Sequence, residues 1–133
     1  MHQLIGAYGL LPSLKRIEPT AASDAELRHF HTAEYIDFVR QLETKMTENA
    51  DEADEVSWSE DCEAFGLAYD CPPFQMIHRT ISYLAGASLG AARALVEGRC
   101  SLAINWFGGW HHGRRDEGKR EKLFSVDIFS ILF

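Results

Sequence analysis

The sequence predicts an α/β fold in which a parallel sheet is flanked by helices. Two observations carry that prediction. Helical periodicity from Pro72 to Gly98 is followed at once by Cys100-Ser101-Leu102-Ala103-Ile104-Asn105-Trp106, a run too poor in charge for a strand with one wet face. A long helix followed by a strand buried on both faces is half of a β-α-β unit. The run then opens into Phe107-Gly108-Gly109-Trp110-His111-His112, and open α/β sheets collect their reactive groups in loops beyond the carboxyl ends of strands.

The elements follow in order along the chain. Leu4, Ile5, Tyr8 and Leu11 fall at helical spacing and predict a short amphipathic helix, which Pro12 stops. Ser23-Asp24-Ala25-Glu26 has the form of a capping box, so a helix of one or two turns is expected through Phe30. Thr32 caps a third helix, with Tyr35, Ile36, Val39 and Leu42 on one face and Glu34, Asp37, Arg40 and Glu43 facing water, fraying by Thr47. From about 48 to 63 acidic residues dominate and a solvated loop is expected. Pro72-Pro73 suits the first turn of a long helix, whose stripe of Ile77, Ile81, Leu84, Ser88, Ala91 or Ala92 and Leu95 runs to a C-cap at Gly98. Its small residues, Ala85 to Ser88 and Gly90 to Ala92, predict close approach to another element, expected to be the sheet. Met76 is assigned to the core by its spacing, and Trp106 to packing rather than binding.

Composition narrows the function classes. With 133 residues the chain is one domain at most. A net charge of −7 with no basic stripe argues against direct nucleic-acid binding, although the acidic stretch at 48–63 accounts for all of that charge. No window approaches the roughly 18 apolar residues of a membrane span. Cys62, Cys71 and Cys100 are odd in number, lack a CxxC or zinc-finger spacing, and read as free thiols of a reducing compartment, nucleus or cytoplasm.

The adjacent His111 and His112 are the main candidates for chemistry. Neighbouring side chains point to opposite faces of a strand and lie about 100° apart on a helix, so two consecutive imidazoles share a pocket only where the backbone is irregular. Gly108, Gly109 and Gly113 supply that irregularity. An acid/base couple, a metal site and a glycine turn with two exposed histidines all fit these residues. Asp70, just ahead of Cys71-Pro72-Pro73, reads from the residues alone first as a carboxylate stabilising a helix start. Trp110 reads as an aromatic filling the space behind the loop. His2, His29, His31 and His78 are spread over helices or helix ends and are assigned no catalytic part.

Several ordered motifs resemble one family. NWFGGWHHGRRDE looks like the active-site loop of the class I zinc-dependent histone deacetylases, GLAYDCPPF resembles their substrate-rim loop, and MHQLIGAYGL and FHTAEYIDFVRQL are similar to their early helices. The match runs from residue 1 to about Glu117, broken by the acidic insert, and implies an arginase/deacetylase-like fold, incomplete at both ends. Residues 1–117 correspond to the N-terminal part of the domain and 118–133 to a divergent tail. The resemblance implies zinc-dependent hydrolysis of acetyl-lysine in proteins such as histones. It makes His112 the general base and acid, His111 the residue that holds the water, Asp70 the rim residue that accepts hydrogen bonds from the substrate backbone, and Trp110 a lining residue of the channel.

After Glu117 the text departs from the family pattern. The family's zinc ligands, an Asp-x-His element and a further aspartate, have no counterpart here, nor do the carboxylates behind the histidines or the tyrosine that donates to the acetyl oxygen. Two adjacent histidines beside Asp116 or Glu117 do not complete the three protein ligands of a catalytic zinc site. The chain is therefore expected to be a truncated form that binds no stoichiometric zinc and is inactive alone. The alternative expectation is a non-catalytic interaction module or regulatory isoform, associating with itself or a partner through an exposed sheet edge or its apolar tail.

Overall fold

A computed structural model describes residues 2–48, 59–68, 71–108 and 114–116. The described elements are α1 (His2–Ala7), a 3-10 turn (Leu11–Ser13), α2 (Asp24–Leu27), α3 (Ala33–Glu48), α4 (Glu60–Ala64) and α5 (Ile77–Val96). The acidic loop expected at 48–63 is corrected at its end, where Ser59 accepts a hydrogen bond from the Cys62 N–H and caps α4. Its positions 49–58 and the tail from 117 onward lie outside the described residues.

The predicted parallel sheet is not present among the described residues, which form no strand. Residues 100–106, expected as a strand buried on both faces, form none, with Leu102 74% and Ile104 49% exposed. A strand exists only through a ladder of hydrogen bonds to a neighbour, and an apolar run does not create that neighbour. The sheet edge expected as an association surface is likewise not present among the described residues.

The core lies between α3 and α5. Tyr35, Ile36, Val39, Leu42 and Met46 form the buried face of α3, which is the predicted stripe extended by one turn. They pack with Ile77, Ile81 and Ala85 of α5 and with Leu27, Cys62 and Leu67. Phe38 and Phe65 stack with ring centroids 4.4 Å apart, bringing α4 onto α3. In α1 Ile5 is buried, whereas Leu4 and, just after the helix, Tyr8 are exposed. Trp106, expected to pack, is 41% exposed.

The small-residue face of α5 does approach another element closely, but that element is backbone of residues 20–22. A Cβ on Gly86 would lie 1.8 Å from the Thr20 carbonyl oxygen and 2.7 Å from the Ala22 nitrogen. The approach allows the Ala22 N–H to donate to the Ser82 carbonyl at 2.9 Å. Gly86 therefore serves backbone-to-backbone packing.

The ends of α5 depart from and agree with expectation in turn. The helix begins at Ile77 instead of Pro72-Pro73, because Met76 at φ 60° is left-handed and interrupts any right-handed run from the prolines. Met76 is 54% exposed and is not a core residue. It supplies no side-chain cap, and the Glu43 carboxylate of α3 instead accepts from the Arg79 N–H at 2.9 Å. At the other end Gly98 is left-handed, with its N–H donating to the Leu95 carbonyl and the Arg99 N–H to the Ala94 carbonyl.

The capping box of α2 forms as predicted: the Glu26 N–H donates to Ser23 Oγ, and the Ser23 N–H donates to Glu26 Oε2 at 2.8 Å. The other Glu26 oxygen accepts from Arg93 on α5. Hydrogen bonds from Ser23 and then from Arg93 hold the Glu26 carboxyl down to about 2. Beside it, Asp24 pairs with Arg40 of α3 and lies 3.1 Å from His78 Nε2 of α5. Burial, with help from the Arg40 charge, pushes the His78 imidazole below its usual value against the opposing effect of Glu43.

These contacts yield three expected outcomes. Gly86→Ala forces backbone apart and should lower unfolding stability in urea by about 1–3 kcal/mol, whereas Gly90→Ala, whose Cβ meets nothing within 4 Å, should raise it by about 0.5–1 kcal/mol. Met76→Gly should raise stability by about 1 kcal/mol by relieving the left-handed conformation of an exposed side chain. Both Glu26 and His78 have lowered folded values, so each contributes stability that is present at higher pH and lost on acidification. The His78 contribution falls away as pH drops below 6.5, and the Glu26 contribution as pH drops from 4.5 toward 2. Chemical denaturation across pH should show Glu26→Gln flattening only the lower window and His78→Gln only the upper.

Candidate functional site

The four residues singled out from the sequence, Asp70, Trp110, His111 and His112, lie outside the described residues. What the structure describes are the segments on either side of them. The first is the approach to Asp70. Cys62 and Glu63 in α4 accept hydrogen bonds from the Leu67 and Gly66 N–H groups, a closure that requires the left-handed Gly66 at φ 69°. The chain then buries Leu67 completely and Ala68 nearly so. The Cys71 N–H donates to the Ala68 carbonyl at 3.1 Å and ties the two sides of the rim segment together.

Cys71 is half-buried, and burial pushes its thiol up from the ordinary value; the same holds for Cys62, despite a hydrogen bond from Ser59 that acts the other way. Both thiols stay protonated near neutral pH, so neither offers a thiolate nucleophile beside the rim. Cys62 is buried, and Cys71 and Cys100 are partly so.

The second segment leads into the tandem histidines. Asn105 Nδ2 donates to Ser88 Oγ at 2.8 Å and lies 3.5 Å from the Leu84 carbonyl, both on α5. Its Oδ1 accepts from the Phe107 N–H at 3.1 Å, and its carbonyl accepts from the Gly108 N–H at 3.1 Å. Asn105 thus shapes the turn that follows it while fastening that turn to the helix. Ser88, 1% exposed, is a buried hydroxyl whose burial is compensated by these bonds.

Gly108, expected to provide unusual backbone angles, has a φ outside the left-handed range. Its lack of a side chain serves close approach instead: a Cβ would come within 3.2 Å of Asn105 Nδ2 and 3.4 Å of Ser88 Oγ. Gly109 and Gly113 lie outside the described residues.

Beyond the histidines, Arg115 makes the return contact. Its carbonyl accepts from the Thr32 N–H at 2.7 Å, and its Nε donates to the Phe30 carbonyl at 3.2 Å. Thr32 is the residue whose Oγ1 caps α3 by accepting from the Tyr35 N–H. The tandem-histidine stretch is therefore fastened to α5 on one side and to the start of α3 on the other. Asn105, Ser88 and Arg115 are not among the residues that sequence reasoning assigns to a site. The signal that could have found Asn105 is a lone amide closing an apolar run just before two glycines.

Among the described residues no group of three His, Cys, Asp or Glu side chains is placed to hold a metal ion. The full sequence contains no Asp-x-His element. The donor groups among the described residues do not make a catalytic zinc site. Among the described residues no helix is long and apolar enough to cross a membrane.

Comparison with known proteins places these segments in context. The model of the histone deacetylase domain matches residues 1–119. The chain is 40% identical over 132 residues to histone deacetylase 8 of Danio rerio, covering 99% of this chain and 32% of that protein. It is 40% identical over 132 residues to histone deacetylase 8 of Xenopus tropicalis, covering 99% of this chain and 33% of that protein. Histone deacetylase 19 of Arabidopsis thaliana is 32% identical over 131 residues, covering 98% of this chain and 25% of the relative. The chain spans about a third of the length of the histone deacetylase 8 relatives. A domain match over residues 1–119 and these identities show that the chain belongs to the histone deacetylase family.

Proposed function

We propose that this chain supplies the acid/base and substrate-rim side of a lysine deacetylase acting on acetylated proteins such as histones, in the nucleus or cytoplasm. The observation that carries the reading is the tandem pair in NWFGGWHH within a segment matched to the histone deacetylase domain. His112 accepts a proton from the attacking water and later delivers one to the departing lysine amine, while His111 holds that water by a hydrogen bond. Asp70 accepts hydrogen bonds from the substrate backbone, and Trp110 lines the path of the acetyl-lysine side chain. The family chemistry uses zinc to polarise the acetyl carbonyl. Because the described residues offer no group of three metal donors, the 133 residues are proposed to supply groups for proton transfer and substrate contact without turning substrate over on their own.

A second reading, a non-catalytic interaction module, draws support from the exposure of Leu102, Ile104, Trp106 and Phe107. One experiment separates the two. Residues 1–117 of this chain are fused in place of the corresponding third of the Danio rerio histone deacetylase 8, and deacetylation of an acetyl-lysine peptide is measured with zinc present. Turnover in the fusion, a fall in kcat of roughly 100- to 10,000-fold on His112→Ala, and no turnover by the 133-residue chain alone are expected. A folded but inactive fusion favours the interaction module, and hydroxamate-sensitive turnover by the isolated chain overturns the proposed division of labour.

A further inference from the structure

We propose that the C-terminal tail of this chain, residues 123–133, packs over an apolar row formed by Leu102, Ile104 and Trp106. The run from 100 to 107 carries no charged residue, and its burial alternates: Ala103 and Asn105 are part-buried, whereas Leu102, Ile104 and Trp106 are exposed. Asn105 sets the direction of that alternation, since its Nδ2 donates to Ser88 Oγ at 2.8 Å and turns its own side of the run onto α5. The even-numbered side chains form the outward row, with a period of two. The row is held at both ends. Before it, the Gly98 N–H donates to the Leu95 carbonyl and the Arg99 N–H to the Ala94 carbonyl, which closes α5. After it, the Gly108 N–H donates to the Asn105 carbonyl, and a Cβ on Gly108 would meet Ser88 Oγ at 3.4 Å. Three large apolar side chains are thus presented on a fixed base, and their removal from water is favourable.

The sequence beyond Asp116 supplies a matching cover. Residues 123–133 hold eight apolar side chains and a single charge, that of Asp127. Phe124, Val126 and Ile128 alternate with Ser125 and Asp127, the same period of two as the row. Length is sufficient, because residues 117–133 span up to about 55–60 Å when extended, whereas a chain of this size folds to a radius of gyration of about 14 Å. The chain enters this stretch from a held point, where the Arg115 carbonyl accepts from the Thr32 N–H and its Nε donates to the Phe30 carbonyl. Tethering favours the tail over a second copy, since a segment joined by a short linker acts at an effective concentration in the millimolar range. Leu10, Leu11, Leu14 and Ile17 are exposed as well, but Lys15 and Arg16 lie among them and would lose hydration under an apolar cover, which the uncharged run avoids. The packing requires no catalytic role of the chain, and a protein that binds this row from outside has to displace the tail.

The test is NMR of the 133-residue chain with Ile, Leu and Val methyl groups labelled. Through-space cross-peaks are expected between the methyl groups of Leu102 and Ile104 and those of Val126 and Ile128, in a sample that sediments as a monomer. Val126→Asp should abolish the cross-peaks that Ile128 makes to the row, while those among Val39, Leu42, Ile77 and Ile81 of the core stay in place. Ile104→Asp should likewise abolish the cross-peaks from Leu102 to the tail, and Val126→Ile should keep them. Retention of the Ile128 cross-peaks in Val126→Asp overturns the proposal, as does a tail that contacts only Leu10 or Leu14, or nothing. Cross-peaks seen only between differently labelled copies in a mixed sample also overturn it and identify a second copy as the occupant. If a variant fails to fold, the cross-peaks between row and tail in the unaltered chain decide by their presence or absence.

Discussion

Everything described in this chain depends on α5 lying against the backbone of residues 20–22 with no side chain between them. Gly86 makes that possible, and the hydrogen bond from the Ala22 N–H to the Ser82 carbonyl uses the space gained. With the helix seated there, Ile77, Ile81 and Ala85 meet Tyr35, Ile36, Val39 and Leu42 of α3, and the two faces exclude water from each other. A methyl group at position 86 would displace the segment leading into α2 and, with it, the charged contacts made by Asp24 and Glu26.

Those contacts join three helices at one corner. Asp24 and Glu26 in the first turn of α2 stabilise that helix locally, and the same carboxylates reach Arg40 on α3 and Arg93 on α5. Arg40 and Arg93 are more than half exposed, so these pairs direct the arrangement of the helices more than they add to stability. Glu43 performs a related task, capping the Arg79 N–H at a helix start where left-handed Met76 provides no acceptor. Local helix chemistry and tertiary packing agree here, which is the mark of a sequence that specifies one arrangement.

The segments that flank the candidate site residues are attached to this frame at defined points. The rim segment leaves α4 through buried Leu67 and Ala68, and the tandem-histidine stretch is fastened through Asn105 to α5 and through Arg115 to the start of α3. Catalytic groups gain from such attachments because proton transfer demands placement within a fraction of an ångström of the reacting atoms.

The local elements and the family are legible in the residues alone. The Ser23–Glu26 capping box, the Thr32 cap, the buried stripe of α3 and the Gly98 terminus each follow from interactions within a few residues, so their patterns are readable without a fold. The tandem histidines and their ordered companion motifs likewise carry the resemblance that the domain match bears out. Features that depend on distant partners are settled by packing. The apolar run at 100–106 reads as a strand, yet forms none, because a ladder needs a second strand that no local pattern supplies. The small face of α5 reads as a seat for a sheet and meets backbone at 20–22 instead, and Asn105 reads as the end of a strand but ties a turn to Ser88, 17 residues earlier. Spacing shows which side of an element wants a neighbour, and only the packed chain shows which neighbour it has.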